Sequence, residues 1–344
     1  MERLLSGAED CRELAFDKRK KRESFLGLLS AIWKLRPQLI VMEGTGIAGG
    51  MACLLAQILL RIPYIISSGD AVGPFIASHK PGWGWIFAAY ERVLCRLSAG
   101  FIGWTPYLVG RALTFGAPRG MTAPGWVIGG KGSLQADREQ IRERLGIDKG
   151  QIVFGILGAL EWNAAKQYCY GFELVEAIKL VKRKDVTVLI VGGGTGYPEL
   201  KKRAEELWGT RVIMPGPVEL GDVMKYLSAF DAASLPQSLD QVGMFRYTTK
   251  ISEYVVSRLP VVTSRIPAAY DLDGDWMWRL PGKGPWERIY IEALAALMEN
   301  ITLDEISLKQ KRVPADLAIF DSSIQVERVG KFVKDVLEES YKPM

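Results

Sequence analysis

Hydrophobic and polar positions follow two alternating periods in the first part of the chain. Helical periodicity fills residues 49–60 and 85–97. Short apolar runs typical of strands flank these helices at "QLIVM" (38–42), "IPYIIS" (62–67) and "AGFIGW" (99–104). Strands that alternate with helices predict a parallel, doubly wound α/β sheet. The segment 116–133 is rich in glycine and proline and has no period, so it is predicted to be a linker.

A second alternation of strands and helices follows this linker. Its predicted helices cover 172–182, 198–208, 222–229 and a short stretch after Tyr247, and its predicted strands cover 152–157, 186–191, 211–214, 231–235 and 260–264. Two open sheets predict a bilobed protein with a cleft, and ligands of such sheets lie beyond the carboxyl ends of the strands. We expect one domain over 1–125, a second over 126–322, and a C-terminal helix over 323–344 that packs back on the first.

The window Ile47–Ser68 is long enough to span a bilayer, but Gln57, Arg61 and Pro63 interrupt it. A helix, a turn and a buried strand are the favoured interpretation. The opening residues are too polar for a signal peptide. The four cysteines form no CxxC pair, which favours reduced thiols in a cytoplasmic protein.

The net charge of +5 is unevenly distributed along the chain. Residues 1–130 hold 15 Lys/Arg against 9 Asp/Glu, a balance of +6, and Lys18–Arg22 ("KRKKR") is the densest basic run. Such a run is either a solvated helix face or a contact with an anionic membrane surface. We expect a cytoplasmic protein with a peripheral contact on the inner face of the membrane and no nucleic-acid partner.

The predicted helix 85–97 carries apolar residues at helical spacing. Ile86, Ala89, Val93 and Leu97 are interpreted as its core-facing side. The tryptophans just before it and at its start, Trp83 and Trp85, stand beside glycines. They either pack in the core, as most of this segment is expected to do, or rim an acceptor groove or a lipid interface.

The stretch "YTTKISEYVV" (247–256) contains the strongest candidate site. Thr248 or Thr249 is a good helix N-cap, and Lys250 and Glu253 follow within the first turn. Free N–H groups, a lysine and a threonine hydroxyl suit a diphosphate, and a glutamate one turn deeper suits the hydroxyls of a ribose. An ordinary capped helix with first-turn charges explains the same pattern equally well.

Other loops carry weaker signals. Val191–Leu200 ("VGGGTGYPEL") lacks the spacing of a dinucleotide fingerprint, and a tight strand-to-helix turn is the better interpretation. Asp271 and Asp273 form a DxD that is either a metal site or, more commonly, a solvated turn. Asp70, in "SSGD" after the second strand, is a candidate base or acceptor ligand, with an Asx turn as the alternative. A single histidine, His79, nearly excludes a triad.

The second half of the chain resembles the nucleotide-binding domain of retaining glycosyltransferases with the GT-B fold, the family-four group (glycosyl transferases group 1). The resemblance is collinear over about 152–264 and is strongest in "TTKISEYVVSRLPVVTS" (248–264). The first domain matches more loosely and is shortened, because no opening strand with a glycine-rich loop precedes Gln38. The implied fold is GT-B, with two Rossmann-like domains facing a cleft.

The resemblance also implies roles for the candidate site. Glu253 matches the second glutamate of the family's E-x7-E motif, which binds the nucleotide ribose. Lys250, Thr248 and Thr249 fall where the family holds the donor diphosphate. The implied donor is a UDP- or GDP-linked sugar, and no cofactor or metal is required.

Further residues are carried over with departures from the family pattern. Lys166 matches a second lysine that reaches the diphosphate, and Gly158 and Gly216 match backbone positions around the donor. Phe245 stands where the first glutamate of the motif is expected. Asp70 replaces the histidine that many relatives place in the first-domain loop.

The prediction is therefore a retaining hexosyltransferase that acts on a glycan or lipid-linked acceptor, with Lys250, Lys166 and Asp70 as catalytic residues. A non-catalytic GT-B-like partner subunit and a metal-dependent transferase are the alternatives.

Overall fold

The computed structural model describes residues 11–14, 16, 20–79, 82–124, 134–246, 248–272, 274–314 and 318–341. The chain divides into two compact units. The first unit comprises Met1–Gly125, Phe245–Tyr247 and Ala318–Met344, and the second comprises Trp126–Met244 and Thr248–Leu317. The short segment Phe245–Tyr247 thus belongs to the first unit, although the residues before and after it in the sequence belong to the second.

Helices and strands alternate through the first unit. Its elements up to residue 122 are α1 (Lys21–Leu35), β1 (Ile40–Glu43), α2 (Ile47–Leu60), β2 (Tyr64–Ser68), α3 (Val72–His79), α4 (Gly84–Arg96), β3 (Gly100–Gly103), α5 (Pro106–Thr114) and β4 (Gly120–Thr122). All four strands are parallel and lie in the order β1-β2-β3-β4. The short β4 lies inside the segment predicted to be a linker, and that part of the prediction is wrong.

The apolar window Ile47–Ser68 folds as a helix, a turn and a strand, as predicted. α2 ends at Arg61, which adopts a left-handed backbone conformation (φ 55°), and Pro63 prevents the helix from continuing. Every residue of β2 is buried. Among the described residues, no helix is both long and apolar enough to cross a bilayer.

The second unit contains a longer alternation. Its elements are α6 (Leu134–Arg144), β5 (Ile152–Leu157), α7 (Phe172–Leu180), β6 (Val186–Val191), α8 (Tyr197–Ala204), β7 (Val212–Gly216), α9 (Val223–Ser228), β8 (Ala232–Leu235), α10 (Lys250–Val256), β9 (Val261–Ser264), α11 (Ala268–Asp271), β10 (Met277–Leu280), α12 (Arg288–Asn300) and α13 (Leu303–Arg312). The final helix, α14 (Ser322–Ser340), belongs to the first unit, where Phe332 lies against Gly100 of β3.

The six strands of the second sheet are parallel and lie in the order β10-β9-β8-β5-β6-β7. The first strand of this sheet, β5, lies at its centre. Strands β6 and β7 follow on one side of β5, and the chain then crosses to the other side, where it forms β8, β9 and β10. The strand order therefore reverses between β5 and β8. In open α/β sheets this switch point leaves a crevice beyond the carboxyl ends of the two strands, where ligands bind.

The outward face of α4 contradicts the sequence-based interpretation. Ile86, Val93 and Leu97 were expected in the core, yet they are 40%, 47% and 39% exposed, and Ala89 is exposed as well. The side of the helix that packs inward instead carries Glu91 and its neighbours Leu94 and Cys95. Glu91 is tolerated inside because its carboxylate accepts hydrogen bonds from Arg111 and from the Gly73 N–H.

Candidate functional site

The loops beyond the carboxyl ends of β5, β6 and β7 are joined by backbone hydrogen bonds. Gly158 N–H donates to Val191 O at 2.9 Å, and Gly192 N–H donates to Gly216 O at 2.9 Å. A Cβ atom on Gly192 (φ 144°) would lie 1.9 Å from Gly158 O, so only glycine allows this approach. The Val191–Leu200 segment is a strand-to-helix turn, as expected, and three backbones meet at this edge of the sheet.

Lys250 brings a positive charge to this edge. A Cβ on Gly158 (φ 149°) would lie 2.7 Å from Lys250 Nζ, so the ammonium group rests directly against the Gly158 backbone. Lys250 Nζ also lies 4.5 Å from the centroid of the Tyr170 ring. The ring attracts the cation without neutralising its charge. Among the described residues no carboxylate forms an ion pair with Lys250.

The two threonines before α10 have different roles. Thr249 occupies the N-cap position with helical dihedral angles, and its side chain makes no capping hydrogen bond. Thr248 Oγ1 accepts from Lys250 N–H at 3.3 Å and so takes the capping part. Ser252, which is fully buried, donates from its hydroxyl to Thr249 O at 2.7 Å. These bonds fix the turn that presents Lys250.

Glu253 lies one turn deeper in α10 and is half-buried. Burial raises the pKa of its carboxyl group, and the nearby Lys250 charge partly offsets that rise. Within the described residues the carboxylate accepts no side-chain hydrogen bond. A half-buried acceptor without donors is a suitable receptor for hydroxyl groups of a ligand.

Lys166 has other partners than the predicted diphosphate site. Its Nζ lies 3.0 Å from Asp240 Oδ2 and 4.3 Å from the centroid of the Trp286 ring. Burial alone would raise the pKa of Asp240, but hydrogen bonds from Gly243 N–H and Lys166 hold it below its usual value. The structure therefore brings Lys250, Gly158 and Glu253 together and pairs Lys166 with a loop acid.

Glu173 is a feature that sequence reasoning missed. It is fully buried, and it accepts hydrogen bonds from Ser234 Oγ at 2.8 Å and from Tyr168 OH at 3.0 Å. Burial raises the pKa of Glu173 to about 7. On sequence alone it is one more acidic residue in the first turn of α7. Ser234 lies in β8 and Tyr168 in the loop after β5, so Glu173 joins the two strands that flank the switch point.

In the first unit, Asp70 lies in the turn that follows β2, and the hydroxyl group of Ser68 forms a hydrogen bond within this turn. Ser68 Oγ accepts from Asp70 N–H at 3.3 Å, and Arg246 Nε lies 3.3 Å from Asp70 Oδ1. Arg246 adjoins Phe245, the residue at the expected glutamate position. The Phe245 ring packs on the core of the first unit, and its carbonyl accepts from Thr105 Oγ1. Phe245 is thus a packing residue with no acid function.

Some of the weaker candidate residues lie wholly or partly outside the described residues. Asp273 and part of Lys18–Arg22 lie outside the described residues, as does the side chain of His79. Where the structure describes the chain, no cluster of three or more His, Cys, Asp or Glu side chains suits a metal ion. Cys53, Cys95 and Cys169 are buried free thiols, and burial raises the pKa of each to about 12.

A known protein family matches the part of the chain that contains Lys250 and Glu253. Residues 151–300 match the family model described as Glycosyl transferases group 1. Among curated proteins, no sequence matches this chain.

Many solved structures share the fold. Anabaena Alr3699/HepE, solved with UDP and glucose, is 17% identical with a TM-score of 0.65, and the match covers 95% of this chain and 84% of that one. Sucrose-phosphate synthase from Thermosynechococcus elongatus is 14% identical with a TM-score of 0.67, over 94% and 81% of the two chains. WaaG, a glycosyltransferase involved in lipopolysaccharide biosynthesis, is 13% identical with a TM-score of 0.66, over 94% and 88%.

The family match covers β5 through α12, which include the switch point, Lys250 and Glu253. The structural matches extend over both units, which confirms the predicted α/β fold of GT-B type. Within the described residues, the first sheet has four strands and the second has six. Residues 151–300 therefore match a domain of the group 1 glycosyltransferase family, and the chain has a fold of GT-B type.

Proposed function

We propose that this protein transfers a hexose, with retention of anomeric configuration, from a nucleotide-diphosphate sugar to a glycan or lipid-linked acceptor. The second unit would bind the donor, and the first unit would bind the acceptor. The observation that carries the proposal is the ammonium group of Lys250, which rests against Gly158 at the switch point and has no carboxylate partner among the residues that the structure describes. A diphosphate is the ligand that this charge and the surrounding backbone suit.

The donor would be held by groups with separate tasks. Lys250 and the hydroxyls of Thr248 and Thr249 would receive the diphosphate, and Glu253 would accept hydrogen bonds from the ribose hydroxyls. Alr3699/HepE was solved with UDP and with UDP-glucose, which supports a uridine or similar nucleotide here. The Gly216 backbone would lie near the base.

Transfer breaks the bond between the anomeric carbon and the diphosphate oxygen and forms a bond to an acceptor hydroxyl oxygen. Negative charge grows on the leaving diphosphate as the first bond breaks, and Lys250 would stabilise it, assisted by Lys166 once it leaves Asp240. Asp70 would bind the acceptor hydroxyl and receive its proton. No protein nucleophile and no metal ion are needed for this route.

The acceptor side and the location of the protein belong to the same proposal. A lipid-linked or cell-surface glycan precursor would place the enzyme in the cytoplasm, on the inner face of a membrane. The basic balance of residues 1–130, 15 Lys/Arg against 9 Asp/Glu, supports this placement.

Replacement of Lys250 tests the proposal. A thermal-shift screen with UDP- and GDP-sugars selects the donor. Calorimetry with the matching nucleoside diphosphate and an assay of its release from the sugar then compare the parent with Lys250→Ala. We expect turnover to fall about 100- to 1,000-fold, as it does when a group that stabilises transition-state charge is removed. Glu253→Gln should weaken binding of UDP about tenfold but leave binding of its 2′,3′-dideoxy analogue unchanged.

Lys225→Ala is the matched control, since Lys225 pairs with Asp222 on the surface of α9. Its turnover should equal that of the parent. Unchanged turnover in Lys250→Ala would refute the assigned role. Nucleotide binding by the parent without any release or transfer would instead favour a non-catalytic partner subunit.

A further inference from the structure

Helix α4 exposes a continuous apolar face. Trp85 is 72% exposed, and Ile86, Val93 and Leu97 recur at helical spacing beside it. Trp83, just before the helix, is 55% exposed. Scattered exposed apolar residues are ordinary on a soluble protein, but a contiguous patch indicates a binding surface.

The charges of α4 are sorted between its two sides. Its one acidic residue, Glu91, points inward and is neutralised by Arg111, whose Nη2 lies 2.9 Å away. The outward side carries Arg92 and Arg96, both exposed. Arg92 lies over the Phe115 ring, 5.3 Å from its centroid, and keeps its charge there. The exposed face is therefore apolar and basic, with no acidic group of its own.

We propose that this face, the α4 face (Trp85, Ile86, Arg92, Val93, Arg96, Leu97), docks on an anionic lipid bilayer. Tryptophan and aliphatic side chains enter the boundary between headgroups and acyl chains, while arginines contact anionic headgroups. The basic surplus of residues 1–130 adds attraction in the same direction. The docking deepens the proposed function, because it would bring the first unit to a lipid-linked acceptor, but lipid binding itself needs neither donor nor transfer.

Vesicle sedimentation tests the proposal with the full chain. Vesicles of phosphatidylcholine alone are compared with vesicles that contain phosphatidylglycerol, at low and high salt. The double variant Trp85→Ser/Val93→Ser should bind the anionic vesicles at least about tenfold more weakly than the parent, since buried apolar area sets much of the affinity of an interfacial helix. Arg92→Gln/Arg96→Gln should lose roughly thirtyfold at low salt, because each basic side chain near an anionic leaflet strengthens binding about fivefold.

Two control variants separate this face from general surface effects. Leu220→Ser/Leu303→Ser removes two exposed apolar side chains from the second unit, which are 69% and 58% exposed. Lys182→Gln/Lys184→Gln removes two exposed positive charges from the same unit. Both controls should sediment with anionic vesicles as the parent does. Equal losses in control and α4-face variants would overturn the proposal.

Three further outcomes are decisive. Failure of the parent to bind anionic vesicles overturns the docking. Light scattering that shows a parent dimer, which Trp85→Ser/Val93→Ser converts to a monomer, overturns it in favour of a self-interface. Salt-sensitive binding by the parent that only the α4-face variants lose supports it. Calorimetry with UDP in the absence of vesicles is independent of all three, so a failed donor site and a failed docking surface are distinguished.

Discussion

The amino and carboxyl ends of the second sheet differ in whether their charged side chains are paired within the protein. At the amino end, the Asp231 carboxylate accepts from Arg138, from Arg142 Nη2 at 2.6 Å and from Val153 N–H at 2.7 Å. Arg142 also donates to Ala229 O, so charges and hydrogen-bonding groups satisfy one another there. At the carboxyl end, Lys250 and Glu253 have no comparable partners among the described residues.

This difference separates groups that hold the fold from groups that are available to a ligand. A buried charge destabilises the fold unless it is paired and hydrogen-bonded, as Asp231 is. A charge left without a protein partner gains its partner when a ligand of opposite sign binds. Substitutions at the amino end should therefore alter stability, and substitutions at the carboxyl end should alter binding and turnover.

Asp231→Ala should produce the largest loss of stability. It leaves Arg142, which is 6% exposed, without its carboxylate, and such a break typically costs about 3–5 kcal/mol of unfolding free energy. Urea unfolding measures this loss. The fraction that remains folded should turn over donor at the parent rate.

Asp222→Ala is the control for this variant, because the Asp222 side chain is 45% exposed and its ion-pair partner within the described part of the chain is Lys225, three residues away. Its unfolding midpoint should match that of the parent. A fold that tolerates Asp231→Ala equally well would remove the contrast between the two ends.

Glu173 should make stability depend on pH. Its pKa rises from 4.5 to about 7 on folding, so the folded protein binds the proton more tightly than the unfolded chain does. The resulting stabilisation is fully present below about pH 4.5 and is lost as the pH rises through 7. One pKa unit corresponds to about 1.4 kcal/mol, so the loss is about 3 kcal/mol.

Glu173→Gln isolates this contribution, since glutamine has the shape of the protonated acid and does not titrate. Urea unfolding at intervals from pH 4.5 to 8 should show the variant gaining about 3 kcal/mol relative to the parent across that range. Parallel stability curves for the two proteins would mean that Glu173 does not titrate in this window.

The sequence predicted the second sheet well because its strands are continuous apolar runs. "IVFGIL" and "VTVLIV" correspond to β5 and β6 residue for residue. Strands β4 and β10 were not predicted, because they are only three and four residues long and β10 contains an arginine. Strands this short show no clear alternation of apolar and polar residues. The α4 face was misassigned because apolar spacing shows which residues share a side, but not whether that side faces inward.

In the candidate site, too, contacts between residues close in sequence were predictable and long-range contacts were not. The proximity of Lys250 and Glu253 was predictable because they lie three residues apart in one short helix. The partner of Lys166 was not, since Asp240 is 74 residues away and only the folded loops bring the two together. The burial of Glu173 likewise arises from β8 and the loop after β5, which no local pattern reveals.

Gly158→Ala should disturb the carboxyl end with a smaller loss of stability. The φ of 149° is unfavourable for alanine, which costs about 1–3 kcal/mol, and the new Cβ would displace the Lys250 ammonium group. A displacement of about 1 Å in a catalytic group lowers turnover roughly 100-fold. Unfolding and turnover are measured together, with Gly221→Ala as the control because open space surrounds Gly221. Parent-like turnover in Gly158→Ala would argue against a role for the Lys250 position.

Lys166→Ala should have the smallest effect and should sharpen the contrast with Lys250. Lys166 and Asp240 are 27% and 39% exposed, and an ion pair this open contributes less than about 1 kcal/mol to stability. Because the ammonium group already has a carboxylate and the Trp286 ring as partners, its removal should weaken UDP binding only a few-fold, well below the effect of Lys250→Ala.

Lys179→Ala is a matched control, since Lys179 forms a 3.1 Å pair with Glu176 and has a similar exposure of 31%. UDP binding by this variant should be unchanged when measured by calorimetry beside Lys166→Ala. If Lys166→Ala instead loses as much UDP affinity as Lys250→Ala, then Asp240 releases Lys166 already when the nucleotide binds, before the diphosphate begins to leave the sugar. The pairs of Asp231 with Arg138 and Arg142 at the amino end of the sheet should still persist through the reaction, because they lie at the opposite end of the sheet from Lys250.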